Sequence, residues 1–211
     1  MEASLLAAAL LAGGCFSTSD PDGEADASPE AGSDASTYNP VMGNAFVGPI
    51  DFSDMRVQGF DSALLRAGRS QCMEPILVRV TEVIDGDTFE VSGISRPLNS
   101  PVRLIGIDTP EIGRGGENDQ CFAEAAASFT RQLDGHVLWL TFDAECEDAF
   151  ERLLAYVYIG GGLGDLWQRQ LLRRGLARTL SIPPNTSLRS QFDEDERAAQ
   201  QDDIGLWAVC R

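Results

Sequence analysis

A chain of 211 residues, 43% of them hydrophobic, carries enough apolar content for one ordinary domain plus an extension, or for two small domains. Its net charge of −17 argues against the basic surface that supports tight, non-specific binding to nucleic acid, though not against a local cleft lined by arginine. All 16 basic residues are arginine, and from Cys72 onward 13 of them face 23 acids, a charge of about −10.

The elements follow in chain order. Leu5 to Ala12 is apolar but too short to span a bilayer, and fits the core of a signal peptide. Leu11-Ala12-Gly13-Gly14-Cys15 resembles a bacterial lipoprotein processing box, with Cys15 as the residue that would be lipidated. The basic residues usual before such a segment are missing, and a plain signal peptide is the alternative. Residues 16–40 are mostly Ser, Asp, Gly, Ala and Pro; they bury too little to offset ordering and read as a disordered tether. Residues 41–71 continue this acidic linker, with a short helix expected over Asp61–Ala67, capped at Asp61 or Ser62. Phe46, Ile50, Phe52 and Phe60 are candidates to pack on the domain that follows.

That domain spans 72–211. Strands are predicted at Ile76–Ile84, Thr88–Ser92, Val102–Ile107, His136–Phe142 and Arg152–Ile159. Helices are predicted at Asn118–Asp134, Leu166–Arg174 and Ser187–Gln201, the second stopping at Gly175. Five strands with three interposed helices fit an α+β fold that is mainly β barrel: the OB-fold, a five-stranded Greek-key barrel.

Two short signatures stand out. Asp85-Gly86-Asp87-Thr88 follows an apolar run, and Arg103-Leu104-Ile105-Gly106-Ile107-Asp108-Thr109-Pro110-Glu111 ends a second one in carboxylates. An acid at a strand end is held rigidly yet reaches solvent, which suits a metal ligand. Asp87, Asp108 and a nearby main-chain carbonyl make an all-oxygen set suited to a hard cation such as Ca²⁺. Arg103 and Asp108 lie an odd number of residues apart, so they cooperate only if a bulge or bend breaks the strand between them. Taken alone, Asp-Gly between two strands is more often a hairpin turn, and the second signature reads as a buried strand leaving through a proline.

In this order and at this separation the two signatures resemble those of the staphylococcal-nuclease-like, or thermonuclease, family. Phe150-Glu151-Arg152-Leu153-Leu154-Ala155-Tyr156-Val157, Gly175-Leu176-Ala177-Arg178 and Gly205-Leu206-Trp207 extend the likeness toward the C-terminus. The resemblance implies the OB-fold and a Ca²⁺-dependent endonuclease that hydrolyses DNA and RNA with little sequence preference, leaving 3′-phosphate ends. It implies that Asp87, Asp108 and the Thr109 carbonyl bind Ca²⁺, that Glu111 is the general base, and that Arg103 and Arg152 bind the scissile phosphate. Departures cluster around Arg152. Ala149 and Phe150 stand where the family often has Lys and Tyr, and Glu151 and Leu153 stand where glycines are common. Glu151 threatens to pull Arg152 from substrate, and the Thr179–Pro184 loop lacks tyrosines to stack on a base. Catalysis is therefore expected to survive better than affinity, and a nuclease-like binding module with weak or no turnover is the rival reading.

His136 and the three tryptophans are expected to be structural, Gly160-Gly161-Gly162 to be a turn, and Asp193-Glu194-Asp195-Glu196 to be a solvated helix face. With Cys15 lipidated, four cysteines remain for an oxidising compartment. Of the three possible pairings we expect Cys121–Cys146 and Cys72–Cys210, the second tying the two domain ends together. The expected protein is an exported monomer of the bacterial cell envelope, held to a membrane by its lipid or secreted, with nucleic acid as substrate.

Overall fold

Apolar residues alternate along the first strand, and one face of every barrel strand is driven inward by that period. In the computed structural model, which describes Ile50, residues 52–113 and residues 115–210, these strands close into a barrel. All of them lie in one compact unit, Asn39–Arg211. Cys15 and the tether lie outside the described residues.

The barrel strands are β1 (Ile76–Val83), β2 (Thr88–Gly93), β3 (Asn99–Leu104), β5 (Val137–Thr141) and β6 (Leu153–Tyr158), in the order β1-β2-β3-β6-β5. Every pair is antiparallel except β3 with β6, which is parallel and places Arg103 opposite Leu154. Gln168, fully buried, stitches this junction: its amide donates to the Ala155 carbonyl at 2.9 Å and accepts from the Val157 amide at 3.2 Å. Val78, Phe89, Val102, Leu138 and Val157, each wholly inaccessible to solvent, fill the interior. The five-stranded barrel expected from the sequence is therefore present.

The predicted strand Val102–Ile107 is two strands. Gly106 has φ +85°, which ends β3 at Leu104 and starts β4 (Gly106–Asp108) in a new direction. β4 pairs with β7 (Arg178–Leu180), a short strand the pattern did not signal. The predicted helix Asn118–Asp134 is shorter: α2 (Ala123–Thr130) begins after Phe122, itself left-handed at φ 73°, and ends in a 3-10 turn to Leu133. α3 (Trp167–Arg173) and α4 (Arg189–Gln201) lie within their expected spans, and α5 (Leu206–Val209) closes the described chain.

Residues 52–71, read from the sequence as linker, form with Cys72 a strap on the barrel. α1 (Asp54–Gln58) buries Val57 against Leu77 and Val137, and the Trp139 indole donates to the Val57 carbonyl at 3.0 Å. Asp54 accepts from the Val137 amide at 3.0 Å and meets His136 at 3.3 Å, so His136 is structural. Its ring stacks on Phe52, 5.1 Å between centroids. Asp61 does cap a turn, though a 3-10 turn of only Ser62–Leu64. The strap then runs beside the end of β5, with Gly68 donating to the Phe142 carbonyl and Cys72 to the Asp143 carbonyl, both at 2.8 Å.

That path settles the disulfides differently from expectation. Cys72 is bonded to Cys146 and Cys121 to Cys210, with Cα separations of 5.7 and 5.8 Å. Pairings of Cys121 with Cys146 and of Cys72 with Cys210 are excluded. The domain ends do not meet: the strap delivers Cys72 to the β5–β6 loop. Leu206, donating to the Gly175 carbonyl at 2.8 Å, docks α5 so that Cys210 reaches the start of α2 instead.

The acidic run of α4 is also not wholly solvated. Asp195 is buried and holds Arg173 at 2.8 Å and Arg169 at 2.5 Å, while Glu196 accepts from the Thr179 hydroxyl at 2.8 Å and its amide at 3.1 Å. These acids pin α4 to α3 and to β7.

Candidate active site

The Asp85–Thr88 connection is more than a turn. Ile84 and Asp85 both donate to the Thr88 carbonyl, and the Asp85 carboxylate accepts from the Asp87 amide at 3.1 Å. Gly86 is pressed so closely on the fold that a Cβ there would stand 2.6 Å from the Thr109 hydroxyl and 2.9 Å from Ala126. Thr130 of α2 donates to its carbonyl at 2.7 Å. The glycine thus lets the turn sink onto α2 and brings Asp87 to the start of β4's exit.

Asp87 is 1% exposed. Its Oδ2 accepts from the Thr109 amide at 2.9 Å and the Thr109 hydroxyl at 3.0 Å, and meets Arg103 Nη1 at 3.0 Å. Its Oδ1 accepts from the Thr88 hydroxyl at 3.1 Å. Burial pushes the Asp87 carboxyl from the ordinary 3.8 up to about 6, against the pull of Arg103 and the Thr109 amide, and the neighbouring charge of Asp85 adds to the rise.

Arg103 spans the bend. Its Nη1 donates to the carbonyls of Leu104 at 2.7 Å and Ile107 at 3.1 Å, and its Nη2 donates to Asp108 Oδ1 at 3.1 Å. The change of direction at Gly106 is what brings Arg103 and Asp108 together despite their odd spacing. Asp108, on the edge strand, keeps half of its side chain exposed. Thr109 is tied to Asp87 through its amide and hydroxyl.

Glu111 and Arg152 join from two loops. Glu111 is exposed, and its backbone is clipped to Gln120, whose side-chain oxygen accepts from the Glu111 amide at 3.1 Å and whose own amide donates back to the Glu111 carbonyl at 3.0 Å. Arg152 precedes β6. Its Nε and Nη2 each lie 2.7 Å from Asp148 Oδ2, and its amide donates to Asp148 Oδ1 at 3.1 Å. The acid that holds Arg152 is therefore Asp148, not Glu151. Glu151 instead takes φ 61°, the left-handed conformation that explains why glycine suits this position.

Asp85, Asp87, Thr88, Arg103, Glu111, Phe150 and Arg152 line one cleft of about 300 Å³. Arg103 and Arg152 also edge a second hollow of about 260 Å³ with an aliphatic wall of Leu104, Ile107, Leu154, Leu180 and Ile182. The last two come from the loop expected to lack stacking tyrosines. Asp85, Thr88 and Asp148 were given no role from the sequence. The i, i+4 spacing of Asp148 and Arg152 was the available signal for one of them.

The oxygen donors fit a hard cation. Asp87 is already stripped of water, carries Asp85 beside it and, among the described residues, has Arg103 as the one cation in salt-bridge contact. Among the described residues no group of three or more His, Cys, Asp or Glu side chains gathers to hold a metal. A cation here needs main-chain oxygen and water besides carboxylates.

Comparison with known proteins agrees with this geometry. Residues 101–209 match the family model described as Staphylococcal nuclease homologue. The chain belongs to that family. It is accordingly a nuclease, a hydrolase of phosphodiester bonds. It is 34% identical over 129 residues to the thermonuclease of Staphylococcus intermedius, covering 61% of this chain and 74% of the relative. It is 31% identical over 131 residues to the thermonuclease of Staphylococcus hyicus, covering 62% and 75%. With endonuclease YncB of Bacillus subtilis it shares 37% over 137 residues, 63% of each chain. The family match starts at Pro101, so Asp85 and Asp87 reach the site from outside it.

Proposed function

We propose that this nuclease is a Ca²⁺-dependent endonuclease that hydrolyses DNA and RNA with little sequence preference and leaves 3′-phosphate ends. The observation that carries the reading is the gathering of Asp87, Arg103, Glu111 and Arg152 in one cleft. Asp87, Asp108 and the Thr109 carbonyl would hold the calcium, which supplies Lewis-acid polarisation of a phosphoryl oxygen and orients the attacking water. Glu111 takes the proton of the attacking water; as the water oxygen bonds to phosphorus, the bond from phosphorus to the 5′-oxygen breaks and that oxygen leaves with a proton from solvent. Arg103 and Arg152 donate to the phosphoryl oxygens, where their planar forks match the growing charge. Neither arginine is reserved for substrate: one is shared between two aspartates and the other is held by Asp148. Phosphate must compete with these acids, which supports weak affinity.

The test is release of acid-soluble nucleotides from denatured DNA and from RNA, first with Ca²⁺ and then with chelator. Calcium-dependent release with 3′-phosphate termini supports the reading; no release at any calcium concentration overturns it. Binding of oligonucleotide without release would favour the rival binding module, which the carboxylate-paired state of both arginines makes worth measuring.

We further propose export as a lipoprotein, with Cys15 carrying the anchor, residues 16–40 serving as a tether, and the nuclease acting as a monomer at the cell envelope. Cys15→Ser should move the protein from the membrane to the soluble fraction. A protein found soluble without that change refutes the anchor.

A further inference from the structure

Among the large hydrophobic side chains described, Phe150 is the most exposed, at 77%. An aromatic ring left in water is costly, and the turn that holds it there is built in detail. The Phe150 amide donates to Asp148 Oδ1 at 2.9 Å, the Glu151 amide donates to the Asp148 carbonyl at 3.1 Å, and the Asp148 amide donates to the Arg152 carbonyl at 3.1 Å. Glu151 accepts a left-handed backbone at φ 61° to close the turn. Strain and hydrogen bonds are thus spent on presenting a ring outward beside the site rather than tucking it in.

The ring's position is specific. The guanidinium carbon of Arg152 lies over it, 5.4 Å from its centroid. Phe150 lines the cleft that holds Asp87 and Glu111, in company with Ile84 and Pro101, and does not line the aliphatic hollow on the other side of the arginine pair. With one ring face toward Arg152, its exposure leaves the other open. A nucleotide whose phosphate lies on Arg152 has its neighbouring base within reach of that open face.

We propose that Phe150 is a stacking platform for the base flanking the scissile phosphate on the carboxylate side of the arginine pair, a binding position separate from the aliphatic hollow. The inference rests on the nuclease reading above. An aromatic face accepts any base, because every base has a π-face, so the platform adds affinity without sequence selection. The Phe150 ring is then sandwiched between that base and Arg152, which couples base stacking to phosphate capture.

The test uses the full chain, a single-stranded decanucleotide, and the same decanucleotide with its bases replaced by abasic sugars. Phe150→Ala should raise KM on the decanucleotide about tenfold, equivalent to about 1.4 kcal/mol, with kcat changing less. Phe150→Leu should behave like Phe150→Ala, and Phe150→Trp should restore the parent KM. On the abasic chain the parent and Phe150→Ala should have the same KM. Equal loss on both substrates, or rescue by leucine, overturns the proposal, since either makes Phe150 a prop for the turn. A second readout is independent of turnover. The fluorescence of Phe150→Trp minus that of the parent should be quenched by the decanucleotide and not by its abasic analogue. If the parent hydrolyses nothing, the nuclease reading fails while quenching still reports the platform. If the parent hydrolyses normally and quenching is absent, the platform alone fails.

Discussion

Arg103 and Arg152 serve one cleft but are held by opposite means. Arg103 sits on a barrel strand, with its side chain 14% exposed, and donates to two carbonyls and two carboxylates. Arg152 sits at a loop end, 30% exposed, and is held by the single carboxylate of Asp148. That loop has few buried side chains of its own. It is fastened by the Cys72–Cys146 bridge and by Asn185, which brackets Glu145 with two backbone hydrogen bonds of 2.9 Å. The contrast shows two routes to a fixed guanidinium: insertion into a regular strand, and cross-linking of an irregular loop.

Removing the fasteners should separate the two sides most clearly. Each bridge closes a long loop, 74 or 89 residues in sequence, and each should contribute roughly 4–5 kcal/mol of stability in the chain-entropy account. Cys72→Ser with Cys146→Ser should lower Tm and, in the protein still folded, raise KM through Arg152. Cys121→Ser with Cys210→Ser should lower Tm comparably but reduce kcat, because Cys121 adjoins the Gln120 clip on Glu111. Identical kinetic effects of the two pairs would dissolve the distinction.

Next in size is the exchange of each arginine for lysine. Loss of a fixed donor to developing phosphoryl charge should cost about 10²–10³ in turnover at either position. Thermal unfolding should then tell them apart. Arg103→Lys should lower Tm, since it strips partners from buried Asp87, whereas Arg152→Lys should leave Tm nearly unchanged.

The Asp87 side also carries a pH signature. Its folded-state value, about 6, lies above the ordinary 3.8, so the fold favours the protonated acid. Asp87's contribution to stability is therefore greatest below 3.8 and is lost as pH rises through 6. In calcium-free buffer Asp87→Asn should stabilise the fold at pH 8 by something on the order of 1–2 kcal/mol, seen as a higher Tm, with the gain vanishing toward pH 4. It should weaken the calcium dependence of activity. A lower Tm at pH 8 would mean that pairing with Arg103 outweighs burial.

The smallest effect belongs to the loop side. Glu151→Gly should stabilise the protein by about 1 kcal/mol through relief of the left-handed backbone, seen as a small rise in urea midpoint.

The barrel and its site were legible to different depths. Short apolar, β-branched and aromatic runs located the barrel strands, β6 among them although it is buried at all but one position and shows no clean alternation. The odd spacing of Arg103 and Asp108 announced a bend, and Gly106 supplies it. Three-residue β7 left no pattern, since its existence depends on an edge offered by β4. Ile50, Phe52 and Phe60 were marked as candidates to pack on the domain and do so, but the strap's path and helix α1 were invisible for a related reason: Val57 packs on a surface that exists only once the barrel has closed. The disulfide pairing turned on where α5 docks, a tertiary matter that cysteine spacing does not encode. Asp87 and Glu111 were found by motif, while Asp148 was missed because an acid four residues before an arginine is common in any sequence.

The parallel joint between β3 and β6 is only three residue pairs long, and it is where the barrel circle is completed. Arg103 lies in it and Arg152 directly precedes it. The two arginines of the candidate site thus sit at the barrel's clasp rather than deep in its most continuous sheet, the β1–β2–β3 meander. If the clasp slips open first under mild urea, hydrolysis will fade before the tryptophan signal of the interior does. Amide exchange at Leu104 and Ile105 should then outpace that at Val78 and Val80, making activity the earliest gauge of a fold beginning to come undone.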